Sequence, residues 1–107
     1  MTIFIMLTTL SPHALRSPRS LEQLEHETMK SIRAECPDCE WLANYAVLGP
    51  YDYVDIFQAS DIDTAMKVGA LVRTYGHAHT EIWPAKSWRE FKEMIRHLPG
   101  PSGLVTE

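Results

Sequence analysis

Residues 45–59 read Tyr45-Ala46-Val47-Leu48-Gly49-Pro50-Tyr51-Asp52-Tyr53-Val54-Asp55-Ile56-Phe57-Gln58-Ala59. Two apolar runs, Trp41 to Leu48 and Tyr53 to Ala59, carry the β-branched and aromatic residues of strands, and Gly49 and Pro50 break them. The linker Gly49-Pro50-Tyr51-Asp52 is short enough for a hairpin, so both runs are expected side by side in one sheet. Working outward, Ile3 to Leu10 is a third apolar run, stopped by Ser11-Pro12, and His77 to Trp83 alternates as a fourth.

Helices fill the gaps. Ser17 is a natural cap before Pro18, whose missing N–H suits a first helical turn. Leu21, Leu24, Thr28 and Ile32 then share one helical stripe with Met29 beside it, and the helix must end before Pro37. Ser60 or Asp61 caps a second helix with a stripe through Ile62, Ala65, Gly69 and Val72. Gly69 weakens that helix by about 1 kcal/mol relative to Ala, which points to close packing on its face. Gly76 is expected to end it in a left-handed conformation. Ser87 and Glu90 form a capping box for a third helix bearing Trp88, Phe91, Ile95 and Leu98 on one side; Pro99-Gly100-Pro101 ends it.

The order is strand, helix, strand, strand, helix, strand, helix. This is the split βαβ pattern of an α+β, ferredoxin-like βαββαβ fold with an extra C-terminal helix. Both connecting helices belong on one face of the antiparallel sheet, and the other face is left open for a second copy. Residues 1–98 are read as one domain and 99–107 as a loose tail.

With 107 residues, 45% of them hydrophobic and 22% charged, the chain has ordinary globular composition and room for one core. A domain this small exposes much of its surface, so pairing would add burial. The net charge is -4, and the basic residues are scattered rather than striped, which argues against nucleic acid and anionic membrane as partners. The apolar start lacks a basic flank and is interrupted by Thr8 and Thr9. It reads as a strand rather than an export signal or membrane span, and the expected compartment is the cytoplasm.

From Ile3 to Phe91 the chain resembles the GYD-domain proteins. The resemblance rests on Met6-Leu7-Thr8-Thr9-Leu10, on Leu42-Ala43-Asn44-Tyr45-Ala46-Val47-Leu48-Gly49-Pro50-Tyr51-Asp52, and on Ala59-Ser60-Asp61, Thr80-Glu81 and Pro84-Ala85. Gly49, Tyr51 and Asp52 stand where that family carries the letters of its name. The resemblance implies a dimeric α/β barrel, in which two ferredoxin-like subunits join their bare sheet faces around a cavity. That superfamily includes cofactor-free monooxygenases, isomerases, haem enzymes and ligand-sensing domains, so the fold alone selects no activity. Two stretches depart from the family's usual pattern: Cys36-Pro37-Asp38-Cys39 in a turn, and His77 with His79.

Candidate chemistry follows from side-chain parity. His77, His79 and Glu81 are expected on one face of the fourth strand and Ala78, Thr80 and Ile82 on the other. Two imidazoles and a carboxylate are zinc or iron ligands, but the spacing is far less specific than a helical zinc motif, and polar side chains on a half-exposed strand explain it as well. No metal is expected, and no cofactor is required. Tyr51 and Asp52 have a structural reading as turn residues, Asp52 accepting backbone hydrogen bonds, and a functional one, Tyr51 orienting a ligand and Asp52 acting as a base. Asp55 shares the parity of Tyr53 and Phe57 and is placed on the cavity side. Phe4, Met6, Tyr45 and Trp83 would line the cavity if each faced the bare side, although such residues are commonly core. Cys36 closes a helix, where the dipole disfavours a thiolate, so Cys36 and Cys39 read as a turn rather than a redox pair. His13, His26 and His97 read as surface residues.

The function expected is a homodimer binding a small organic molecule at the paired sheets, with Tyr51, Asp52, His79 and Glu81 as ligand contacts. The alternatives are a cofactor-free oxygenase or isomerase with His79 or Asp52 as base, a metal-assisted variant of it, or a purely structural interaction module.

Overall fold

The computed structural model describes residues 1–12, 14 and 18–100. Ser17, His13 and the tail beyond Gly100 fall outside them. Among the described residues seven elements follow one another: β1 (Thr2–Leu10), α1 (Pro18–Glu35), β2 (Glu40–Ala46), β3 (Tyr53–Ala59), α2 (Ile62–Tyr75), β4 (Ala78–Ala85) and α3 (Trp88–Ile95). The strands form one antiparallel sheet in the order β2-β3-β1-β4, the ferredoxin-like arrangement with a helix added at the end. No helix among the described residues is long and apolar enough to cross a membrane.

Register decides which side chains meet the helices. β1 pairs Phe4 with Phe57 and Met6 with Asp55 on one side, and Met6 with Ile82 and Thr8 with Thr80 on the other. Those residues share the helix-covered face. Phe4, Met6, Phe57 and Ala59 close there over Ile32 of α1 and Ala65, Val68 and Val72 of α2. Phe57 is sandwiched between Phe4 and Trp41, with ring centroids 5.6 and 5.0 Å away, offset contacts that add to the burial. The cavity role offered for Phe4 and Met6 is therefore corrected. They are core, because their parity points them at the helices.

The helix ends are set locally. Asp61 caps α2, its Oδ1 accepting the Thr64 N–H at 2.8 Å, and the Ser87 Oγ accepts the Glu90 N–H at 3.1 Å at the start of α3. The buried stripe of α2 is Ala65, Val68, Gly69 and Val72, whereas Ile62 is 64% exposed. A Cβ on Gly69 would stand 3.0 Å from Ile82 Cδ1, so this glycine does mark a close approach, to β4.

Gly76 is not left-handed as expected. Its φ is -89°, and the positive φ, 50°, falls on His77. Glycine is needed at 76 for space: an added Cβ would lie 2.7 Å from the Val72 carbonyl oxygen and 3.3 Å from Thr28 Oγ1 on α1. As a result β4 starts at Ala78, and His77 sits in the turn before it.

β2 also differs from expectation. It ends at Ala46, and its register shifts between Trp41 and Ala43. Such a bulge reverses parity along the strand, so Trp41 and Asn44 both reach the helix side while Tyr45 opposite Val54 turns away.

Candidate functional site

The sheet has two unlike faces. The open one carries Ile3, Ile5, Leu7 and Thr9 of β1, Val54 and Ile56 of β3, Ala43 and Tyr45 of β2, and His79, Glu81 and Trp83 of β4. No described helix covers it, and Tyr45 and Trp83 are 58% and 46% exposed. Of the four residues whose facing the sequence left open, these two turn to the bare side.

The polar candidates gather at one end of this face. The Tyr51 hydroxyl donates to Glu81 Oε2 at 2.9 Å. Leu7 stands between Val54 and Glu81 in the register, so this bond bridges from the β3 side over β1 to β4. Leu7 is 9% exposed, the one buried residue of the open face. The bond to the Glu81 carboxylate raises the Tyr51 phenol above its ordinary range and keeps it a donor. His79 lies beside Thr9, exposed, one same-face position from Glu81.

Asp52 does something else. Its Oδ2 accepts the Leu10 N–H at 2.8 Å, its own N–H donates to the Thr8 carbonyl at 2.8 Å, and its carbonyl accepts the Val47 N–H at 2.9 Å. It therefore ties the β2–β3 turn to the end of β1. The structural role weighed for it is present, directed at a neighbouring strand rather than at the turn itself.

The set of His77, His79 and Glu81 is not assembled on one strand face, since His77 precedes β4. Among the described residues no group of three or more His, Cys, Asp or Glu could hold a metal ion. Cys36 and Cys39 are free thiols in a turn closed by the Cys39 N–H on the Cys36 carbonyl at 3.1 Å. Burial raises Cys36, and burial with Cys36 nearby pushes Cys39 up to about 11, so both are protonated at neutral pH.

The helix-covered face holds what sequence reasoning missed. Between α1 and the sheet lies a cavity of about 320 Å³, lined by Leu21, Leu24, Glu25, Met29, Tyr53 and Asp55 among others. Asp55 was expected on the open side. It does share parity with Tyr53 and Phe57, but that face is the helix-covered one. Asp55 is 5% exposed, and its Oδ1 accepts from Trp41 Nε1 at 3.1 Å and from Asn44 Nδ2. Burial raises its carboxyl above the usual range, opposed by those two donors and reinforced by Glu25. Tyr53 is likewise raised, first by burial and then by Glu25, Asp52 and Asp55. An aspartate at the inward parity of an otherwise apolar strand was the available signal. The bulge that brings Asn44 to it left none.

α3 is exposed along its whole length, as is every residue from Lys86 to Gly100. Trp88, Phe91, Met94, Ile95 and Leu98 form an apolar stripe, and Trp88 stacks on Phe91 with centroids 5.6 Å apart.

Residues 4–95 match the GYD domain family, and the chain belongs to it. Over 84 residues, 75% of this chain and 83% of the relative, it is 27% identical to the glutamine synthetase and cystathionine beta-lyase binding protein of Thermus thermophilus. A solved structure with a similar fold is the leucine response regulatory protein LrpA of Mycobacterium tuberculosis. The TM-score is 0.54 at 13% identity, covering 81% of this chain and 52% of that one, so the chain spans about half of that regulator.

Proposed function

We propose that this GYD domain protein is a self-pairing interaction module that binds other folded proteins, enzymes in particular. The open sheet face carries the reading. A four-stranded sheet whose uncovered face carries half-buried Ile3, Ile5, Val54 and Ile56 around a buried Leu7, with Tyr45 and Trp83 exposed, is an apolar patch of the kind that marks an interface, and a second copy offers the same complementary surface under a two-fold. Tyr51, Glu81 and His79 lie at one end of the patch and are its polar contacts; Asp52 holds the turn that presents them.

The heterologous partner is assigned to α3. Trp88, Phe91 and Ile95 follow the i, i+3, i+7 spacing of a helix laid into a groove, Leu98 extends the apolar surface just past the helix end, and Trp and Phe are frequent anchors of such contacts. The Thermus thermophilus relative, named as a binding protein for two enzymes, supports this direction. The enzymatic alternative has less support: Asp52, one of its two candidate bases, is engaged on the Leu10 N–H.

Light scattering after size exclusion tests the first half, and biolayer interferometry with purified glutamine synthetase and cystathionine beta-lyase from the source organism tests the second. Ile5→Asp is expected to turn a dimer into a monomer. Phe91→Ala should leave the dimer intact and weaken enzyme binding at least tenfold, about 1.4 kcal/mol. A wild-type monomer at tens of micromolar would sink the pairing, and failure of both enzymes to bind would sink the adaptor role.

A further inference from the structure

We propose that the cavity between α1 and the sheet binds a small organic cation, an ammonium group on an apolar body, with Asp55 as its counter-ion. This is independent of the interaction reading, because the cavity and the open face lie on opposite sides of the sheet.

At about 320 Å³ the cavity falls at the lower end of the roughly 300–1,000 Å³ found for small-molecule sites. Leu21, Leu24, Met29 and Ile32 supply an apolar wall from α1, facing Met6 of β1. Glu22, Glu25 and Asp55 are its ionisable carboxyls, and among the described residues that line it none is Lys, Arg or His. The charge imbalance is sharpest at Asp55. Trp41 and Asn44 both donate to Oδ1, both are neutral, and Oδ2 accepts from no described residue.

A buried carboxylate that faces no Lys, Arg or His among the described lining residues is unfavourable, and a cation entering the cavity supplies a partner for it. Trp41 and Tyr53, which also line the space, add aromatic surface that attracts cations. An anion of the same shape meets three carboxyl groups. A neutral isostere gains the apolar wall but no ion pair. The cavity therefore discriminates by charge, which an unfilled gap in the core would not do.

The Trp41 indole N–H, donated to Asp55, is a built-in reporter. In nitrogen–proton correlation spectra of the full chain, phenethylammonium is expected to shift that signal saturably. It should bind at least about tenfold more tightly than 2-phenylethanol or 3-phenylpropionate, the neutral and anionic isosteres. Asp55→Asn should lower its affinity by at least about tenfold with the spectrum otherwise preserved. Equal binding of all three probes, preference for the anion, no saturable shift at millimolar probe, or unchanged affinity in Asp55→Asn would each overturn the proposal. Should Asp55→Asn not fold, the wild-type ranking of the three probes decides, and it does so whatever the oligomeric state or enzyme binding turns out to be.

Discussion

Asp52 and Asp55 are three positions apart and live under opposite conditions. Asp52 accepts a backbone N–H at the end of β1; Asp55 is buried against the cavity with only neutral donors among the described residues. Asp52→Ala should cost about 1–2 kcal/mol by leaving the Leu10 N–H unpaired, read as a lower urea midpoint at unchanged slope, and Asp52→Asn should cost less because it keeps an acceptor. For Asp55 the sign is reversed. Its folded pKa is raised, so its contribution is fully present below the unfolded pKa and is lost as pH rises through the folded value. Glu22, Glu25 and Tyr53 line the same cavity, Glu25 adding to the shift, while Trp41 and Asn44 oppose it. Asp55→Asn should thus gain stability relative to wild type as pH rises above the carboxylate range, in urea titrations at several pH values. Of these two residues, the turn chemistry of Asp52 was readable from composition. The side of the sheet that Asp55 faces was not, because parity groups residues without saying which group meets the helices.

Among the elements, the capped helices were legible in advance because their signals are local: Ser87 with Glu90, and Asp61 before an apolar stripe. β2 was not, since a one-residue bulge between Trp41 and Ala43 has no sequence mark and inverts everything after it. Gly76 shows the same limit. The residue was right for a helix end, but its reason is contact with Val72 and Thr28 rather than backbone handedness. Gly76→Ala is therefore expected to cost about 1–3 kcal/mol through overpacking against backbone. Gly69→Ala meets only the movable end of Ile82, and its gain in helix propensity, about 1 kcal/mol, offsets the contact. Thermal melts of the two variants should separate them clearly.

For the whole molecule, the ferredoxin-like order was accessible because alternating helical and strand periods leave few topologies. The candidate site was accessible only in part: the parity of His79 and Glu81 put them on the open face, but the Tyr51–Glu81 bond and the cavity under α1 had no mark in the sequence. If the open face pairs, the melting temperature of wild type should climb with protein concentration by mass action, and that dependence should vanish in Ile5→Asp. Concentration series by scanning calorimetry distinguish the two.

The place of β1 in the sheet also governs how the chain is made. It is one of the two interior strands, yet it precedes both of its neighbours, Ile3 meeting Gln58 and then Ala85. On the ribosome this apolar segment emerges with no strand to receive it, and its ladder closes only when Ala78–Ala85 has cleared the exit tunnel. Until then the Ile3-Phe4-Ile5-Met6-Leu7 run lacks its strand partners, the exposure that non-local pairing imposes on an early apolar segment.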